Sequence, residues 1–240
     1  RNNQYNCFVV GPVLAYNAIN RRDEIVNLVR GSGCNNVIYN FGEIDCRAQV
    51  KKRSTTTMST EDVLDDIIKN YTNFLLYIKN MNLVTRTFVC GVLPCYLEKP
   101  FESYYKRFYD EFDTPRGTLE ERNYYKKYFN DQVEKFCNEN GMFFISIFDS
   151  LLESIKIGDH EKYYIDDIHG VPGIVSKELE EQIENIIKYN IYKCDTLGNR
   201  NNFNKALLIG NKPEDIKCVP SQAVYFDWAT ANNVFQRREE

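Results

Sequence analysis

The sequence contains few of the residues that metal sites use, with only two histidines among 240 residues. Its eight cysteines form no Cys-x-x-Cys pair, which argues against a structural zinc site. No stretch approaches the roughly 20 apolar residues that a membrane span needs. The formal net charge is -4, and nothing in it suggests a nucleic-acid-binding protein, which would usually carry a basic face. We therefore expect no metal or other cofactor, no membrane-spanning helix and no nucleic-acid partner.

The cysteines are scattered along the chain, and several lie in apolar runs such as Phe88–Gly91 (FVCG). Small buried thiols are typical of proteins that reside in a reducing compartment. No signal peptide is visible in the sequence. These observations predict a cytoplasmic protein. Because the chain begins with Arg1 rather than Met, we also expect that its N-terminal end is truncated.

Short apolar or β-branched segments alternate with longer helical patterns. The predicted strands are Cys7–Val10, Asn36–Phe41, Thr87–Val92 and Met142–Ile147. Between them, Ser59–Asp62 and Thr118–Glu121 have the hydroxyl and acidic residues that begin helices. Strand and helix alternating at this spacing indicate βαβ units. The sequence therefore predicts an α/β fold with a parallel sheet and helices on both faces.

Two polar motifs are candidates for chemistry. Asp166 and His169 form an Asp-x-x-His pair in a predicted loop before the last helix, where the aspartate can hold one imidazole nitrogen while the other takes a proton. The segment Phe41–Arg47 (FGEIDCR) crowds four ionisable side chains directly after a buried strand. That crowding fits a solvated strand end with a Glu43–Arg47 or an Asp45–Arg47 ion pair. It fits equally a polar rim in which Arg47 binds an anionic substrate group or orients an acid.

The order of these motifs resembles the SGNH (GDSL-like) hydrolase superfamily. The resemblance covers about residues 7–190 and is carried by Val10–Tyr16 (VGPVLAY), by the GEIDCR string as a third block, by Gly91–Pro94 (GVLP) and by the Asp166 and His169 pair. It implies a three-layer α/β/α, flavodoxin-like parallel sheet. It also implies a nucleophilic serine in an N-terminal Gly-Asp-Ser segment, which this chain lacks.

The resemblance assigns a role to each matching position. Asp166 and His169 become the acid and base of a triad, and Gly11 becomes an oxyanion donor. The third block supplies the remaining candidates for oxyanion or substrate binding, which are Gly42, Glu43, Asp45 and Arg47.

The chain departs from the family pattern at Ile44, which stands where the family has an asparagine amide. Isoleucine has no donor, and the loss of one oxyanion donor costs about 10²- to 10³-fold in rate. Arg47 could substitute for it. Ser32 and Cys46 are weaker alternatives for the nucleophile.

The predicted function is a serine-type ester hydrolase that deacylates or transacylates a carbohydrate or small-molecule ester. The alternative is a non-catalytic glycan-binding or structural domain of a larger glycan-modifying protein. We expect the hydrolase-like domain over 1–192, a linker over 193–205, and a second domain or C-terminal extension over 206–240. The strand-like segment Ala206–Asn211 also fits the start of a nucleotide-sugar-using domain.

Overall fold

The computed structural model describes residues 5–7, 13–98, 115–158, 177–187 and 223–226. Its strands form one parallel sheet in the order β1-β5-β2-β3-β4. The strands are β1 (Tyr5–Cys7), β2 (Asn36–Tyr39), β3 (Arg86–Cys90), β4 (Phe143–Ile145) and β5 (Ala223–Phe226). The predicted α/β class with a parallel sheet is therefore confirmed.

Helices lie in the described parts of the connections between these strands. A 3₁₀ helix (Ala15–Arg21) continues into α1 (Arg22–Ser32), and a π-helical turn (Asp45–Gln49) continues into α2 (Val50–Arg53). The longer helices are α3 (Thr60–Asn80) and α4 (Leu119–Glu139), followed by α5 (Phe148–Lys156) and α6 over residues 177–187. None of the described helices is both long enough and apolar enough to cross a membrane.

The two long helices begin at the positions that their sequence predicts. Ser59 precedes α3, and its hydroxyl accepts a hydrogen bond from the backbone N–H of Asp62, whose carboxylate in turn accepts from the backbone N–H of Ser59. Thr118 and Glu121 form the same reciprocal pair at the start of α4. Each pair satisfies two N–H groups that a helix start would otherwise leave unbonded.

Alternate residues of β2 and β3 face two different apolar clusters. Val37, Tyr39 and Val89 lie in the first cluster, and Ile38, Phe88 and Cys90 lie in the second. Side chains of α1, α3 and α4 complete the first cluster, whereas those of α5 and α6 complete the second. Because successive residues of a strand point to opposite faces, the two clusters lie on opposite sides of β2 and β3.

Aromatic side chains of the first cluster lie beneath the loop that follows β2. Phe41 makes edge contacts with Tyr71 and Phe74 at ring-centroid distances of 6.0 Å. Tyr71 also stacks on Phe129 of α4, with centroids 5.8 Å apart. These contacts bury Phe41 against α3, which in turn packs on α4, and so anchor the start of the loop in the core.

β5 lies between β1 and β2, although it comes near the end of the sequence. Ala223 pairs with both Tyr5 and Asn36, and Tyr225 pairs with both Cys7 and Ile38. A strand from the C-terminal region thus occupies an interior position of the sheet. The division of the chain at residues 192 and 206 stays a prediction.

The five cysteines whose side chains the structure describes are buried, and no disulfide joins them. They are Cys34, Cys46, Cys90, Cys95 and Cys137. Cys90 lies on β3, in the apolar run that led us to expect buried thiols.

Candidate functional site

The predicted site residues divide into two groups. Asp166, His169 and Gly11 lie outside the described residues, as does the segment 206–211. The remaining four, which all belong to the GEIDCR block, are described in full: Gly42, Glu43, Asp45 and Arg47.

The GEIDCR block begins three residues after the end of β2, at the carboxyl edge of the parallel sheet. The helices that precede β4 pack in one apolar cluster, those after it pack in the other, and the chain then returns to β5 beside β2. Open α/β sheets with parallel strands generally bind ligands at their carboxyl edge. The topology therefore puts the block where such sheets place their ligands.

Gly42 turns the chain sharply from β2 into the π-helical turn. Its φ angle is 110°, a left-handed value that favours glycine. A Cβ atom on Gly42 would lie 2.6 Å from the Phe129 ring, far inside van der Waals contact. The Gly42 carbonyl also accepts a hydrogen bond from the N–H of Cys46 at 3.0 Å. Glycine is thus required here both by the backbone angle and by the close approach of α4.

Asp45 is buried and holds a distant segment of the chain. Its two carboxylate oxygens accept hydrogen bonds from the backbone N–H groups of Ala15 (2.7 Å) and Tyr16 (3.3 Å). These N–H groups begin the 3₁₀ helix, whose own N-cap residue, Leu14, supplies no side-chain cap. Asp45 therefore joins the loop after β2 to the segment that follows β1.

The environment of Asp45 makes its carboxyl group harder to ionise than in water. Burial raises the pKa of this carboxyl group from 3.8 to about 6, although hydrogen bonds from three backbone N–H groups and the charge of Arg53 act in the opposite direction. Its described hydrogen bonds come from the backbone N–H groups of Ala15 and Tyr16, so the role that the structure shows for Asp45 is structural. A contact between Asp45 and a substrate stays a prediction.

Arg47 is bound to Glu43, which is one of the ion pairs that the sequence left open. The Arg47 Nε atom donates to both carboxylate oxygens of Glu43, at 2.9 and 3.0 Å. The Arg47 side chain is only 1% exposed, whereas that of Glu43 is 22% exposed. Glu43 is therefore the more accessible member of the pair.

Lys126 of α4 completes this arrangement, and the sequence analysis did not find it. Its Nζ atom lies 3.4 Å from Glu43 Oε1, and its side chain is only 1% exposed. Burial by itself lowers the pKa of this ammonium group, but the nearby Cys95 and Glu43 outweigh that effect, so the pKa is raised. Helical periodicity could have identified Lys126 as a buried residue. It shares one helix face with Arg122 and Phe129, which are also buried.

The inner face of α4 also fixes the loop after β3. Two asparagine side chains each bind both the N–H and the carbonyl of one loop residue, with distances of 2.7 to 3.0 Å. The pairs are Asn130 with Val92 and Asn123 with Cys95. Arg122 donates to the carbonyls of Leu97 (2.5 Å) and Gly117 (2.7 Å). One helix thus holds the loops after both β2 and β3.

The structure places the alternative nucleophiles poorly for that role. Cys46 is 1% exposed, and burial raises the pKa of its thiol well above the usual value. A thiol that stays protonated is a weak nucleophile. Ser32 ends α1, where its hydroxyl donates to the Val29 carbonyl at 2.6 Å. Ser32 precedes β2, and it therefore lies towards the amino edge of the sheet, away from the GEIDCR block.

Ile44 is also buried, with 6% of its surface exposed. It occupies the position where the resemblance expects an asparagine donor. The described geometry therefore supplies no side-chain donor at position 44.

A groove of about 390 Å³ lies at the carboxyl end of β4, between α4 and α5. Its lining is polar and includes Lys127, Ser146, Asp149 and Gln182. None of the four described site residues lines it. Within the described ranges, no group of three or more histidine, cysteine, aspartate or glutamate side chains is arranged to hold a metal ion.

Comparison with known proteins adds no family assignment. No model of a protein family matches the chain, and no curated protein matches it. The resemblance to SGNH hydrolases thus depends on the sequence motifs alone.

Proposed function

We propose that this chain is the α/β domain of an SGNH-type ester hydrolase that deacylates or transacylates a carbohydrate, with a three-layer, flavodoxin-like arrangement. The observation that carries the proposal is the position of the block from Gly42 to Arg47, directly after β2 at the carboxyl edge of a parallel sheet. This is the edge where such sheets assemble reactive groups from separate loops. Its contacts with α3 and α4 support a preorganised site.

In the proposed mechanism, His169 takes the proton from a serine outside this chain as the serine oxygen attacks the ester carbonyl. Asp166 holds the other imidazole nitrogen and stabilises the imidazolium. His169 then returns the proton to the departing sugar oxygen, and a water molecule or a second alcohol releases the acyl group by the reverse sequence. Backbone N–H groups, including that of Gly11, receive the negative charge on the carbonyl oxygen.

Arg47 fits a positioning role better than an oxyanion role in this mechanism. It is almost completely buried, and its Nε atom already binds Glu43. Because Ile44 stands where the family has an asparagine donor, the oxyanion site of this chain depends more on backbone donors.

The chain offers a matched test because it has two histidines, His160 and His169. We would express the protein together with the predicted serine segment and assay hydrolysis of p-nitrophenyl acetate and of O-acetylated sugars. We expect His169→Ala to lower kcat by about 10³-fold or more and Asp166→Asn to lower it by a comparable factor. His160→Ala should retain the wild-type rate. Activity that is indifferent to His169→Ala would contradict the proposal.

A non-catalytic glycan-binding domain is the second candidate. It is favoured by Ile44, which is apolar and buried at the expected donor position. A wild-type protein that binds sugars but hydrolyses no ester would support this alternative.

A further inference from the structure

Glu43, Arg47 and Lys126 form an ionic cluster, which we call the Glu43 cluster. Two almost completely buried cations, each 1% exposed, donate to one carboxylate that is 22% exposed. Arg47 reaches it from the π-helical turn, and Lys126 reaches it from α4, 83 residues further along the chain.

Stability alone is a poor explanation for this cluster. Removing charges from water is costly, and apolar replacements of buried ion pairs are often neutral or stabilising. What the cluster does achieve is a fixed carboxylate orientation, because the Arg47 Nε atom contacts both carboxylate oxygens while Lys126 contacts one of them. Two cations also favour the ionised form of the carboxylate.

An ionised carboxylate can only accept hydrogen bonds. It cannot donate to an oxyanion, and its negative charge would oppose the charge that develops there. Hydroxyl groups are the complementary donors, and a carbohydrate ester carries several of them beside the acyl group. The accessible part of Glu43 lies at the carboxyl edge of the sheet, directly after β2.

We infer that Glu43 is a specificity-determining residue that accepts hydrogen bonds from the carbohydrate hydroxyls of the ester, and that Arg47 and Lys126 are positioning residues for it. The inference rests on the proposed function and assigns Glu43 to the sugar rather than to the oxyanion. It implies that Glu43 is important for sugar esters and unimportant for esters without hydroxyl groups.

The test compares two acetyl esters, 6-O-acetylglucose and p-nitrophenyl acetate, in the protein that includes the predicted serine segment. We expect Glu43→Gln to lower kcat/KM for 6-O-acetylglucose by about 10- to 100-fold, mainly through KM, as the loss of a charged hydrogen bond would. Hydrolysis of p-nitrophenyl acetate should change by less than about threefold. The matched control is Glu120→Gln, which removes an exposed carboxylate from the first turn of α4.

Lys126 provides a second, independent set of variants. Lys126→Met keeps most of the side-chain volume and removes the charge, so we expect a smaller loss on 6-O-acetylglucose in the same direction. Lys126→Arg should restore part of it, because the cation is retained. If Glu43→Gln fails to fold, Glu43→Asp keeps the charge on a shorter side chain, and it should show a selective loss on the sugar ester.

Equal losses on both esters would show a merely structural role and would overturn the inference, as would an unchanged rate on 6-O-acetylglucose. A wild-type protein that hydrolyses neither ester would contradict the proposed function but not yet the role of Glu43. In that case, NMR titration of this chain with 6-O-acetylglucose tests whether Glu43 binds the sugar. Binding that Glu43→Gln weakens at least tenfold supports the inference, and absent or unaffected binding overturns it.

Discussion

The buried carboxyl group of Asp45 should make folding stability depend on pH. Its pKa is raised from 3.8 to about 6 in the folded protein, mainly by burial. At about 1.4 kcal/mol per pKa unit, this difference corresponds to about 3 kcal/mol. The folded state binds the proton more tightly than the unfolded state does, so the stabilisation is fully present below pH 3.8 and is lost as the pH rises through about 6. About 2 kcal/mol of it should disappear between pH 4.5 and pH 7.

The perturbation that isolates this effect is Asp45→Asn. The amide oxygen can still accept from the N–H of Ala15, but the side chain no longer titrates. We expect the stability of the variant relative to the wild type to increase by about 2 kcal/mol from pH 4.5 to pH 7. Comparing the two proteins at each pH cancels the contributions of other carboxyl groups, such as Glu61 and Glu121, whose pKa values are lowered.

Urea-induced unfolding at several pH values, followed by circular dichroism, gives the required free energies of unfolding. Asp149→Asn is the matched control, because the same chemical change is made on a side chain that is 76% exposed. A relative stability that stays constant within about 0.5 kcal/mol across this range, or that changes in the opposite direction, would refute the reasoning from burial.

Two further predictions concern the fold around the site. Gly42→Ala should destabilise the protein by about 2–4 kcal/mol, because it combines left-handed backbone strain with a clash against Phe129. Gly31→Ala is the control, because a Cβ atom on this residue of α1 would meet no atom within 4 Å. It should be neutral or slightly stabilising in the same unfolding assay. Removal of residues 206–240 deletes β5, which joins β1 to β2, so the shortened chain should lose cooperative thermal unfolding. A chain that ends at residue 227 keeps β5 and should unfold cooperatively, and native-like melting of the shorter chain would show that β5 is dispensable.

Much of the local structure could be predicted because it depends on neighbouring residues. Hydroxyl and acidic residues three positions apart mark the starts of α3 and α4, and apolar runs mark β2, β3 and β4. The position of the GEIDCR block directly after a buried strand followed from the same reasoning. These signals are short-range, since a cap or an alternating pattern is complete within a few residues.

The partners of the block depend on contacts between distant parts of the chain. Asp45 binds the backbone 30 residues earlier, and Glu43 receives Lys126 from 83 residues later. The sequence alone determined a parallel α/β architecture and an unusual polar block at the end of a strand. Only the tertiary structure decided that Asp45 is a buried anchor, that Lys126 of α4 contacts Glu43 and that β5 lies inside the sheet. The physical reason is that helix packing and strand order bring these groups together, and no local spacing encodes either one.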